Sequence, residues 1–122
     1  MKLIDQAQAP NPRRVRIFLA EKGITVPTEQ VNLIKLEHRS PELTALNPLQ
    51  QVPILILDDG TAISESVAIC RYFEEQQPEP PLFGRTPMER VLVEMWQRRM
   101  ELAHFFSVAQ CFRHSHPAMA EL

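Results

Sequence analysis

The segment VPILILDDGTAI, Val52 to Ile63, limits the possible folds more than any other part of the chain. Two short apolar runs flank Asp58, Asp59 and Gly60, and such runs about an Asp-Gly turn read as a β-hairpin, because glycine supplies the positive φ of a tight turn. Pro53 opens the first run and cannot donate to a ladder, so it belongs at a strand start, at an edge or after a bend. A cis Val52–Pro53 bond would turn the backbone of Val52 outward and leave its N–H and C=O open to a guest.

The elements around the hairpin extend this reading. KLID has the length of a buried strand, Gln6 to Pro12 reads as a loop, and Val15, Phe18, Leu19 and Lys22 fall at helical spacing before a stop at Gly23. VPTEQVNLI alternates as a second strand. Ser40 and Pro41 form a helix start, and Asn47-Pro48 closes that helix. After the hairpin, SESVAICRYFEEQ predicts a helix with Ser64 as its N-cap and Val67, Ile69, Cys70 and Phe73 facing inward. Strand, helix, strand, helix, hairpin and helix over residues 1–77 make a parallel βαβ half followed by an antiparallel ββα half. The expected class is therefore α/β, with the thioredoxin-like order βαβ-α-ββα.

Residues 78–86 are rich in proline and read as a linker. Beyond them Met88, Val91, Leu92, Met95, Leu102 and Phe106 recur at helical spacing, which predicts one long amphipathic helix. That helix falls within residues 87–122. Its broad apolar stripe calls for further helices or a partner chain.

Composition excludes several classes of function. A net charge of −2 offers no basic field for nucleic acid or an anionic membrane. No apolar run approaches the roughly 18 residues of a membrane span, and the N-terminus has no h-region, so a cytoplasmic protein is expected. Cys70 and Cys111, far apart in sequence, read as free thiols of a reducing compartment. His114 and His116, two residues apart, do not share a helix face, and no metal site is expected of them or of His104.

The chemistry concentrates at Ser64-Glu65-Ser66. A helix N-terminus favours an anion, whereas Glu65 favours a cationic amine, so a zwitterion with both groups on one carbon would satisfy both. Glu65 also fits a simpler role as a first-turn acid opposing the helix dipole. Arg13, Arg14 and Arg16, at the start of the first helix, read as a solvated face, with one of them available to a carboxylate.

NPLQQVPIL and ISESVAI, preceded by RRVRIFLAEKGI, resemble the glutathione-binding domain of cytosolic glutathione S-transferases, nearest the theta-like, zeta-like and bacterial members. The linker and MERVLVEMWQRRMEL are similar to the junction and first helix of that family's all-α domain, which implies that residues 87–122 are the first helix of such a domain, expected to be truncated in this chain. The resemblance makes residues 1–77 the glutathione-binding domain. It implies that the Val52 backbone pairs with the cysteinyl unit of glutathione, that Pro53 is a cis proline, and that Glu65 and Ser66 hold the γ-glutamyl group. Gln51 and His38 match positions near the glycine end. The family's chemistry is attack by glutathione thiolate on a small electrophile, as in detoxification, with glutathione as cosubstrate, no metal, and usually a homodimer.

The loop departs from the theta-like and zeta-like pattern. Ala9 stands where those members carry a thiol-activating serine, and no Ser, Tyr or Cys lies between Lys2 and Phe18. Apart from Gln6 and Gln8, Asn11 is the neutral side-chain donor near the helix start, and APN resembles a bacterial and fungal loop whose asparagine approaches the sulfur. The expected function is thus that of a glutathione transferase with Asn11 as its catalytic donor. The alternative is a non-catalytic module of the same fold, or an inactive fragment. Thiol–disulfide redox catalysis fits poorly, since no cysteine lies at the first helix's N-terminus.

Overall fold

Strand β1 (Lys2–Asp5) carries a fully buried Leu3-Ile4-Asp5 run and lies inside a four-stranded sheet. A computed structural model describes residues 1–119. Helix α1 (Pro10–Lys22) starts with proline in its first turn, where a missing N–H costs nothing. It stops at Gly23, whose φ of 67° lets the Ile24 N–H cap the Leu19 carbonyl at 2.9 Å.

Strand β2 (Thr28–Gln30) then pairs parallel with β1, Ile4 opposite Glu29. It is shorter than VPTEQVNLI implied, and all three residues are exposed. A 3₁₀ turn (Glu37–Arg39) leads into α2 (Pro41–Leu46), whose Leu43 N–H donates to the Ser40 hydroxyl at 3.2 Å, as the Ser-Pro signal predicts.

Strands β3 (Ile54–Ile56) and β4 (Ala62–Ile63) form the expected hairpin, closed by Leu57 N–H donating to the Thr61 carbonyl at 2.8 Å, with Gly60 at φ 87°. The sheet order is β2-β1-β3-β4, with β3 antiparallel to both neighbours. Pairing of Ile4 with Ile54 sends these side chains to one face, where they meet Val31 and Leu43, with Val52 and Leu46 packed alongside. Leu3 and Leu55 point to the other face. Helix α3 (Ser66–Gln76) packs against β3 and against α1, burying Ile69, Cys70 and Phe73.

Lys22 ends the inner stripe of α1 as a buried cation. Its Nζ donates to the carbonyls of Gln77 at 2.7 Å and Pro80 at 2.6 Å and pairs with Glu74 at 2.5 Å. Gln77 Nε2 returns a bond to the Lys22 carbonyl at 2.7 Å. This exchange fastens the last turns of α1 and α3 together and satisfies the buried charge.

The chain divides into two compact units, Met1–Pro80 and the residues from Pro81 onward. In the second, Thr86 and Glu89 form a reciprocal capping box at the start of α4 (Pro87–Arg99). A single uninterrupted helix was expected. Instead, residues Met100–Phe105 wind as a π-helical segment before α5 (Phe106–Ser115). The backbone stays right-handed at both joints, with φ −68° at Met100 and −61° at Phe106, so the widening leaves the apolar spacing legible as helix. A short 3₁₀ turn, Pro117–Met119, follows. Among the described residues no helix is long and apolar enough to cross a membrane.

Candidate functional site

The β1–α1 loop is built around a buried carboxylate. Asp5 accepts from the Gln6 N–H at 2.7 Å, from Gln30 Nε2 at 2.7 Å and from Arg16 Nη1 at 2.5 Å. Arg16 also donates to the carbonyls of Gln6 at 3.2 Å and Ala7 at 2.7 Å. Its guanidinium thus spans the strand end and the loop, a job suited to a planar fork with several donors.

Arg14 is also engaged, its Nη1 lying 2.6 Å from the Ser66 hydroxyl. The expected solvated arginine face therefore holds for Arg13 alone: Arg14 and Arg16 are half-buried and directed at specific acceptors. Nothing in one-dimensional spacing distinguishes these roles, because the acceptors come from the preceding strand and from a helix 52 residues away.

Ala9 caps α1 in extended conformation, φ −74° and ψ 139°, with no side-chain bond. Pro10 and Pro12 lack N–H groups, so in the first turn Asn11 contributes the exposed end's single amide N–H together with its half-buried side-chain amide. Asn11 and Arg14 are three residues apart and share a helix face. Arg14, on that face, is the residue that bonds across to the first turn of α3.

That turn differs from expectation. The N-cap of α3 is Glu65, not Ser64, and Ser66 begins the helix. Glu65 has φ 68° and ψ 113°, a conformation that side-chain-bearing residues avoid and that costs roughly 1–3 kcal/mol. The Glu65 side chain is exposed and makes no cap bond, whereas Ser66 is 6% exposed. Local sequence favours Ser64 because a serine is the ordinary cap. The strained backbone one residue later instead turns the carboxylate of Glu65 outward beside a buried hydroxyl.

The β3 end supplies open backbone. The ladder with β1 begins at Ile54, which leaves both the N–H and the C=O of Val52 outside it. The Val52–Pro53 bond is cis, and Pro53 is buried. Continuing the register of Ile4 with Ile54 places Val52 across from Gln6, at the mouth of the β1–α1 loop.

Buried Asn47, read from sequence only as a helix terminator, organises the approach to Val52. Its Nδ2 donates to the Gln51 carbonyl at 2.9 Å and its Oδ1 accepts from the Leu49 N–H at 3.2 Å. The Gln51 side chain is exposed. His38 lies in the 3₁₀ turn before α2, half-buried, with an enclosed Nδ1 that has no hydrogen-bond partner among the described residues. Burial, reinforced by the neighbouring Arg39 cation, pushes its pKa below 6.5 and keeps the imidazole neutral at pH 7. No described contact joins His38 or the Gln51 side chain to Glu65 or Ser66.

Cys70, one turn beyond Ser66, is buried, and burial pushes its thiol up to about 12 although the Arg14 charge opposes the rise. It is packing material and not a nucleophile. Cys111 is exposed, and both thiols are free.

Comparison with known proteins places this geometry. Residues 9–76 match the family model for the glutathione S-transferase N-terminal domain. The chain is 40% identical over 121 residues to glutathione S-transferase 2 of Saccharomyces cerevisiae, covering 98% of this chain and 52% of that protein. It is 42% identical over 92 residues to a maleylacetoacetate isomerase of Pseudomonas aeruginosa, covering 74% of this chain and 43% of the relative. The crystal structure of a glutathione S-transferase domain-containing protein from Marinobacter aquaeolei superposes with a TM-score of 0.92 at 40% identity, over 98% of this chain and 59% of that one. The chain spans about half the length of the curated relatives it matches. With the family model covering more than half of its residues and the fold agreeing throughout, the chain belongs to the glutathione S-transferase family.

Proposed function

We propose that this chain binds glutathione across the ends of α1, β3 and α3 and, as a glutathione transferase, presents its thiolate to a small electrophile. The observation that carries the reading is a set of three unlike groups, with the β3–β4 register, continued past Leu55 and Ile63, running from Val52 toward Ser66. These are an exposed carboxylate at Glu65, a buried hydroxyl at Ser66 backed by Arg14, and open backbone at Val52. Glu65 takes the γ-glutamyl ammonium and Ser66 its carboxylate. The Val52 N–H and C=O pair with the cysteinyl unit as an added strand would, a mode that needs no particular side chain. Pro53 holds that backbone in place, and Gln51 and His38 serve the glycine end, His38 as a neutral donor.

Asn11 then faces the sulfur. A free thiol has a pKa near 8.5, and lowering it by about two units requires about 2.7 kcal/mol of preference for the thiolate. A hydrogen bond to a charged group supplies roughly 1.5–3 kcal/mol and a helix N-terminus roughly 0.3–1. The Asn11 side chain and the start of α1 together therefore reach the requirement without a serine at position 9.

In this reading residues 1–77 are the glutathione-binding domain, 78–86 the linker, and 87–122 the opening helix of an all-α domain. Homodimerisation, residence in the cytoplasm and a role in detoxification belong to the same proposal and rest on family membership. Catalysis needs glutathione as cosubstrate and no metal.

Calorimetric titration with glutathione tests the binding step. One saturable site is expected, weakened about tenfold or more by Glu65→Gln or Ser66→Ala, the loss of one charge-assisted bond. Affinity unchanged in both variants would place glutathione elsewhere, and no binding at millimolar glutathione would remove the reading.

A further inference from the structure

We propose that Arg14 is a positioning residue that fixes the polarity of the site, making the Ser66 end accept a carboxylate and reject an amine. The inference rests on the glutathione reading above and deepens it.

The guanidinium carries donors only and cannot accept a hydrogen bond. At 2.6 Å from Arg14 Nη1, the Ser66 oxygen must therefore act as the acceptor. The hydroxyl keeps its own proton for a second bond, and whatever receives it must be an acceptor. A serine alone would be ambiguous, since its hydroxyl can donate to a carboxylate or accept from an ammonium by rotating. Arg14 takes one of its two lone pairs and frees the proton for an acceptor, which biases the choice toward a carboxylate.

Charge acts in the same direction. Ser66 is buried, so the cation behind it is only partly screened, and it attracts a carboxylate and repels an ammonium at the same spot. Its field is also felt one turn further along α3, where it opposes the rise that burial imposes on the Cys70 thiol. Glu65, the preceding residue, has its backbone turned at φ 68° and its carboxylate exposed, so the ammonium has a partner of the correct sign next door. A zwitterionic α-amino acid end therefore enters in one orientation. Because Arg14 is rooted in the first half of α1, three residues after Asn11, the same bond sets the distance between the amino acid end and the thiol.

The test compares three ligands by calorimetry on the full chain: glutathione, the analogue lacking the α-carboxylate (4-aminobutanoyl-cysteinyl-glycine), and the analogue lacking the α-amine (glutaryl-cysteinyl-glycine). In Arg14→Gln, the preference for glutathione over the decarboxylated analogue is expected to narrow about tenfold, as for loss of one charge-assisted bond, while the preference over the deaminated analogue stays as it was. Arg14→Lys keeps the charge but not the fork, and should narrow the first preference about threefold. Thermal melts identify any variant that does not fold, and in that case the lysine variant carries the test. Ser66→Ala should narrow the same preference, with Arg14→Gln adding nothing on top of it. If the unaltered protein binds glutathione and the arginine variants keep its full discrimination, or lose both preferences equally, the positioning role is overturned and the glutathione reading stands. If the unaltered protein binds none of the three ligands, both are overturned.

Discussion

Arg16 reaches back along α1 to Asp5, whose carboxylate is 1% exposed, and pairs with it at 2.5 Å while holding the Gln6 and Ala7 carbonyls. The first turns of α1 and the loop before it are thereby tied to the last residue of the inner strand β1. Truncation by Arg16→Ala leaves a buried carboxylate short of its countercharge and frees the loop. A loss of about 2–3 kcal/mol is expected in urea unfolding, with Arg16→Lys recovering part of it. An Arg16→Ala variant of unchanged stability would show that the pair contributes nothing net.

Glu65 separates stability from binding. Glycine relieves the positive φ, so Glu65→Gly should gain about 1 kcal/mol of stability while losing the ammonium partner. Glu65→Ala keeps the strained backbone and loses the same carboxylate. Both should weaken glutathione binding, but only the glycine variant should melt higher. Equal melting of the two would mean that the turn is not strained.

The two thiols should differ sharply in reactivity. Cys111 is exposed, whereas Cys70 is buried with its pKa pushed up to about 12. An aromatic disulfide reagent at pH 8 is expected to titrate one thiol in the native protein and the second only in denaturant. Rapid modification of both would contradict the packing of α3.

His38 sets a pH dependence whose sign is fixed by its depressed pKa. The unfolded chain takes up this proton near 6.5, the folded chain only at lower pH. Stability from this group is thus fully present above about 6.5 and declines as pH falls toward the folded value. Urea unfolding at pH 7.5, 6.5 and 5.5 should show His38→Gln gaining on the unaltered protein as pH falls. A His38→Gln variant that keeps a constant difference from the unaltered protein, or loses ground to it, as pH falls would mean that His38 is not held neutral.

Legibility in the sequence followed the range of each interaction. The Asp-Asp-Gly hairpin, the Gly23 stop and the Ser40-Pro41 start depend on a few adjacent residues, and the structure reproduces the elements they mark. Short β2 ends early because its alternation extends past the residues that β1 can pair. The shift of the α3 cap from Ser64 to Glu65 was hidden because a strained backbone has no residue signature of its own. Arg14 with Ser66, Arg16 with Asp5 and buried Asn47 were also hidden, since each acquires its role from a partner that only the fold brings near. Lys22 carried a usable signal: a lysine on the inner stripe of an amphipathic helix asks for a buried acceptor, here Glu74 and two carbonyls.

The central claim is that the start of α1, with Asn11 in place of the usual serine, ionises the thiol of bound glutathione. Ultraviolet difference titration of the thiolate, on protein saturated with glutathione, reads it directly. The bound thiol is expected to ionise about two units below its solution value near 8.5, and Asn11→Ala should return at least half of that shift. A bound thiol that titrates as it does in solution, or an Asn11→Ala variant with the full shift, would contradict the account.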